Sequence, residues 1–199
     1  MQAITPPLKT NRKNNSNFKK FFLLIFLIGF ISSSLHSQLL VAKSIGKNSD
    51  SSKLGFGAFI FWEIPVNDIG NRSVMIELMD LAFFPPKSDD AHTVIGYLSI
   101  RLGYRYIFSQ ETKTGFYIEP SAGYCRVVSN EDRNDGKAIY GDGIALATEV
   151  GYTVEVGQNG NSLNFGVKYE TDRAGSKTTC SSIAFRASYS FHMFRKGRD

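Results

Sequence analysis

Three observations predict an all-β fold, an antiparallel up-and-down transmembrane β-barrel of about eight strands preceded by a cleavable signal peptide. Period-two alternation of apolar and polar residues dominates the chain after residue 37. The polar faces of the alternating segments are rich in Gly, Ala and Ser. Several of those segments also exceed the roughly 9–11 residues that a tilted strand needs to cross a hydrocarbon layer.

The first element is the signal, residues 1–37, followed by a barrel domain over 38–199. A basic, Asn-rich stretch ends in Lys19-Lys20, the apolar run Phe21–Ile31 follows, and the small polar stretch Ser32–Ser37 closes it. That run suits a signal core and is shorter than the ~20 residues of a spanning helix. Cleavage is expected after Ser34 or after Ser37. The signal also accounts for the formal charge of +5: it holds Lys9, Arg12, Lys13, Lys19 and Lys20 and no acid, leaving 18 basic against 18 acidic residues. A neutral remainder offers no basic stripe for phosphates, so nucleic acid is not an expected partner.

The strands follow in order. A segment at 38–46 completes an even set. In 53–64, Leu54, Phe56, Ala58, Ile60, Trp62 and Ile64 form an apolar face, while Phe59 and Phe61 break the opposite one. The pattern of 73–84 slips near Asp80, which predicts a bulge. In 93–108, Leu98, Ile100, Leu102, Tyr104 and Tyr106 oppose Tyr97, Ser99, Arg101, Gly103 and Arg105. In 113–128, Phe116, Ile118, Ala122 and Tyr124 oppose Tyr117, Glu119, Ser121, Gly123 and Cys125, and Pro120 predicts a second bulge. The clearest alternation is 139–156, with Ile144, Leu146, Val150, Tyr152 and Val154 on one face and Ala145, Ala147, Glu149 and Gly151 on the other. Leu163, Phe165, Val167 and Tyr169 alternate with Lys168 and Glu170 in 163–170, and Ile183, Phe185 and Tyr189 with Arg186 and Ser188 in 178–194. Turn-rich stretches lie between them, at 47–52, 65–72, 85–92, 109–113, 129–138, 157–161 and 172–179. Such strands form a meander, and closing it removes the sheet edges.

Alternation alone does not say which face points inward. Small residues on the polar faces suit the crowded lumen of an eight-stranded barrel better than a solvated exterior. With the N-terminus on the periplasmic side, Trp62, Tyr106, Phe108, Phe116, Tyr152 and Phe191 fall at one membrane interface, as an aromatic girdle should. The same threading puts 85–92 and 129–138 among the outer loops. The alternative is a soluble, lipocalin-type periplasmic barrel whose bulky face lines a cavity for a lipophilic ligand.

The signal, the alternating strands, the short turns and the closing strand Ala187–Phe194 resemble the small outer-membrane β-barrel proteins of Gram-negative envelopes, in the manner of the OmpA/OmpX barrel. The resemblance covers roughly 38–194 and is architectural. It implies the cell outer membrane as location, membrane lipid and the outer-membrane assembly machinery as partners, and a monomer. Members of that family often end on an aromatic residue, whereas here Phe194 precedes the tail Arg195–Asp199. Functions vary widely within the family, so the resemblance implies a location and no activity.

The inward face carries a polar network of both signs: Arg101, Arg105, Lys168 and Arg186 with Glu119, Glu149 and Glu170. Hairpin registers bring Glu119 near Arg101 and Arg105 and opposite Glu149, and Glu149 near Lys168. Facing carboxylates repel unless cations intervene. The network reads either as a salt-bridge plug that fills the lumen and fixes register or as a polar gate or titrating site, and the plug is preferred. Ser190 and His192 share a face but point into the lumen, away from any lipid substrate, so no catalytic residue is assigned. Loop 129–136 lacks the spacing and closing Glu of a calcium loop, and no metal or cofactor is expected. Cys125 and Cys180 lie on strands that are not neighbours and are expected to stay free thiols. The function expected is structural or surface-interacting and non-enzymatic; the alternatives are a lipid-modifying enzyme and the soluble ligand-binding barrel.

Overall fold

The structure, a computed structural model, describes residues 36–46, 49–50, 52–87, 94–129, 139–156, 161–174 and 178–190. The expected signal core, His92, most of the 129–138 loop, Phe191, His192 and the basic tail lie outside the described residues.

Eight strands follow one another in chain order: β1 His36–Ile45, β2 Gly55–Pro65, β3 Arg72–Phe83, β4 Val94–Ile107, β5 Gly115–Ser129, β6 Ile139–Val156, β7 Asn161–Ala174 and β8 Thr178–Ser190. Each pairs antiparallel with the next, and β8 returns to β1 to close the barrel. The closing register runs from His36 opposite Ser190 to Ile45 opposite Ser181. β7 extends to Ala174, so Asp172 lies within a strand and not in the turn expected at 172–179.

The alternation sorts side chains as lipid would. Leu39 is 74% exposed, Phe185 53%, and Ile100 and Leu146 51% each. On β6 the outward face stays uncharged from Ile144 to Val154, with Asp142 preceding it on that face. At about 3.3 Å per residue and a tilt near 40°, that stretch spans roughly 25 Å of barrel axis, the height of a hydrocarbon-facing band. An exposed apolar belt of this size marks a membrane-facing or interaction surface. The lipocalin-type arrangement is the opposite of what is observed: the bulky face does not line a cavity.

Two departures from strict alternation have identifiable causes. Between Glu77 and Asp80 the register of β3 shifts against both β2 and β4, leaving one extra residue in β3. This is the bulge expected near Asp80. A strand without it would put Glu77 and Asp80 on opposite faces; with it, both are buried inside. In β2, Phe59 and Phe61 point inward because cations cover their rings. The guanidinium carbon of Arg186 stands 3.2 Å from the Phe59 centroid, and that of Arg105 stands 5.5 Å from Phe61. Pro120 needs no bulge. Gly103 faces Ser121 and Tyr106 faces Ile118, one unbroken register across it.

Cys125 on β5 and Cys180 on β8 are buried free thiols, separated by β6 and β7 as expected.

Candidate functional site

Charged side chains converge in the interior. Among the described residues, Arg101, Arg105, Lys168 and Arg186 are buried with Glu77, Asp80, Glu119, Glu149, Glu170 and Asp172. Buried ions persist only when paired and hydrogen-bonded, so the pairing pattern is the feature to read.

Arg101 on β4 is the hub. Its Nε donates to Glu77 at 2.6 Å, and its two terminal nitrogens donate to Asp80 and Glu170. Lys168 on β7 holds Glu170 at 2.6 Å and also reaches Asp80. Glu77 bridges onward to Arg186 of β8 at 2.5 Å, and Arg186 takes Glu149 of β6 at 2.5 Å. The Tyr117 hydroxyl donates to the other Glu149 oxygen at 2.5 Å, and Tyr97 donates to Glu170 at 3.0 Å. Arg105 pairs with Glu119 at 2.7 Å, its guanidinium 4.5 Å from the Tyr117 ring. A continuous chain, Lys168–Asp80–Arg101–Glu77–Arg186–Glu149–Tyr117, thus ties six of the eight strands across the lumen.

All seven residues expected in the polar network are therefore buried and paired. Glu119 does face Glu149, and Glu149 does face Lys168, as Cα partners. The ion pairs differ from that register. Glu119 is held by Arg105 and not by Arg101, and Glu149 is held by Arg186 while Lys168 turns to Asp80 and Glu170. Sequence reasoning missed Glu77 and Asp80, hidden by the bulge, and Tyr97 and Tyr117, which sat on the inward face without being singled out.

Tyr117 depends on two glycines that keep the wall thin. Gly151 and Gly166 are its successive neighbours on β6 and β7. A Cβ on Gly151 would stand 2.6 Å from the Tyr117 ring carbon, and one on Gly166 would stand 2.6 Å from its hydroxyl. Gly151→Ala also drives its methyl into the Phe165 carbonyl. The expected cost is about 1–3 kcal/mol, the ordinary range for overpacking. A urea-unfolding titration in lipid vesicles measures it, and a change below a few tenths of a kcal/mol contradicts the packing.

Among the described residues no group of His, Cys, Asp and Glu could hold a metal ion. The buried Ser190 hydroxyl accepts a hydrogen bond from the Asn164 amide at 3.3 Å, a place in polar packing.

The expected girdle residues lie toward the strand ends shared by β2/β3, β4/β5 and β6/β7. Tyr106 and Phe108 meet edge-to-face at 5.0 Å, and Phe116 and Tyr152 at 4.9 Å. Trp62 pairs with Ile76 across the first of these hairpins. At the opposite end, Phe56 and Phe83 meet at 5.9 Å, a pair not singled out from sequence. Phe191 lies outside the described residues.

A closed eight-stranded meander, greasy outside and charged within, defines the architecture of the small outer-membrane β-barrels. Among solved structures the chain is similar to Neisserial surface protein A, with a TM-score of 0.60 at 16% identity, covering 80% of this chain and 96% of that one. It is also similar to the N-terminal β-barrel domain of OprF from Pseudomonas aeruginosa, with a TM-score of 0.48, 10% identity, and 80% and 98% of the two chains covered. For Ail, the attachment invasion locus protein of Yersinia pestis, the values are 0.45, 15%, 80% and 97%. At these identities the likeness is one of fold, and only the first comparison has a TM-score above one half. No protein-family model matches the chain, and no curated protein matches it.

Proposed function

We propose that the protein is a monomeric, non-enzymatic β-barrel of the cell outer membrane, with a structural or surface-interaction role. The observation that carries this reading is the inverted polarity of the wall: exposed Leu39, Ile100, Leu146 and Phe185 against a buried network around Arg101. In this reading the network is a plug that holds the barrel in register, and Trp62, Tyr106, Phe108, Phe116, Tyr152 and Phe191 form the periplasmic girdle. The segments 85–92 and 129–138 present the outward surface. The likeness to Neisserial surface protein A supports that placement. The assembly machinery inserts the chain through its closing strand, and export begins at a signal cleaved after Ser34. That site preserves the pairing of His36 with Ser190 and of Ser37 with Tyr189, which cleavage after Ser37 removes.

Fractionation with gel electrophoresis tests the reading. The protein is expected in the outer-membrane fraction, released only by detergent, and faster-migrating unheated than boiled. The mature mass is expected to begin at Leu35. Recovery from the soluble periplasm without detergent rejects the membrane reading.

A further inference from the structure

Two depressions meet at Phe108, on the rim that holds the β2/β3 and β4/β5 strand ends. The first is a cleft of about 560 Å³, half polar and half apolar, between Asn67, Asn71, Arg72, Tyr106, Ser109 and Gln110, with Ile69 and Phe108 in its wall. Its walls are tied together. The Asn67 amide donates to the Asn71 side-chain oxygen at 2.6 Å, and the Asn71 amide donates to the Ser109 carbonyl at 2.5 Å. The Ile107 N–H donates to the Asn71 carbonyl at 2.8 Å.

Arg72 carries the charge in this cleft, with the acids Asp68 and Glu111 next to lining residues in the two turns. Among the described residues that line it none is acidic, and Arg72 is a cation. Arg72 is exposed, with its guanidinium 5.5 Å from the Tyr106 ring. Lys113, in the turn between β4 and β5, reaches the turn that carries Asn67 and Asn71: a Cβ on Gly70 would stand 3.1 Å from its ammonium nitrogen. Gly70 has φ +71°, the left-handed region that glycine enters most easily.

The second depression is an apolar groove of about 480 Å³ on the outer wall. Phe116, Tyr152 and Phe165 form one bank, Ile118, Val150 and Val167 the other, each bank a row of Cα partners across β5, β6 and β7. The backbone of Tyr117, Gly151 and Gly166 lies between the banks, and Phe185 of β8 closes the far end. The groove runs across four strands, which at about 4.8 Å spacing gives roughly 14 Å of length.

We propose that the cleft and groove together bind one anionic phospholipid of the periplasmic leaflet, its phosphate at Arg72 and Lys113 and an acyl chain along the groove. The inference rests on the membrane placement proposed above. A cationic cleft that meets an apolar groove at Phe108 fits a lipid with a net negative headgroup better than a zwitterionic one, because both carry the phosphate that Arg and Lys bind but only the zwitterion brings a cation against them. An undifferentiated belt of bilayer lipid would need no cleft walls built from Asn67 and Asn71.

Native mass spectrometry of the folded, delipidated full barrel, mixed with dioleoyl phosphatidylglycerol or dioleoyl phosphatidylcholine, tests it. The wild type is expected to retain one phosphatidylglycerol with about tenfold tighter binding than phosphatidylcholine, and Arg72→Gln with Lys113→Gln to abolish that preference. Val167→Trp, which fills the groove, is expected to weaken retention of both lipids. Equal retention of both lipids by the wild type, an unchanged preference in the double variant, or unchanged retention in Val167→Trp each overturns the proposal. Each sample is first checked for heat-dependent gel migration. A wild type that folds as a barrel in detergent but shows no lipid preference sinks the lipid site alone, whereas one that stays soluble without detergent sinks the membrane reading.

Discussion

Arg101→Ala is expected to destabilise the barrel by about 3–5 kcal/mol, the cost of removing one partner from a buried ionic network. Arg101 alone contacts Glu77, Asp80 and Glu170. Alanine leaves those three carboxylates facing one another, with Lys168 and Arg186 to share among them. The lumen gives water little access: the side chains of Arg101 and Asp80 are fully buried. Urea titration in lipid vesicles, followed by far-ultraviolet circular dichroism, reads the change. Arg126→Ala is the control. Its pair with Asp142 at 2.7 Å is half exposed, with side chains 52% and 51% accessible, and such a pair contributes about 0–1 kcal/mol. If the two substitutions cost the same, the interior network is not a structural plug.

Val150→Arg is expected to cost about 2–4 kcal/mol, the penalty for a cation at the bilayer midplane on a barrel's lipid face. Val150 stands near the middle of the apolar outward face of β6 and is 52% exposed. The same substitution at Phe116, near the rim, is expected to cost about 0–1 kcal/mol, because the arginine there reaches the interface. The contrast between depths is the measurement. A soluble barrel would tolerate arginine equally at both exposed positions, and equal stabilities in the vesicle assay would contradict the lipid-facing assignment.

The strands were legible because a barrel wall imposes period two on every residue, and the chain keeps that period over most of 94–190. Local register was legible for the same reason: short hairpins force Glu119 opposite Glu149 and Glu149 opposite Lys168. What alternation does not encode is contact through the lumen. Arg186 and Glu77 are 109 residues apart and on strands that do not pair, yet they bond at 2.5 Å. No pairwise reading along neighbouring strands reaches that contact. Glu77 and Asp80 were hidden for a second reason. Spaced three apart, they share a face only because of an inserted residue, and the slip in pattern announced the bulge without saying which acids it would gather. Asp172 was lost to the turn-like run Asp172–Gly175, though β7 continues through it to Ala174. Phe59 and Phe61 looked like errors in the pattern until Arg186 and Arg105 supplied their partners.

The kink in β3 has a wider reach than its size. Below it the odd-numbered residues Ser73, Met75 and Glu77 are buried; beyond it the even-numbered Asp80, Ala82 and Phe84 are. Inside and outside thus exchange parity at one point in the chain. Loss of a single residue there would rotate the whole upper half of the strand, sending Asp80 toward acyl tails and Leu81 and Phe83 into the ionic interior. Sequence change in that hairpin is therefore constrained in number before it is constrained in kind: side chains can be exchanged one at a time, but the count of residues between Glu77 and Asp80 cannot.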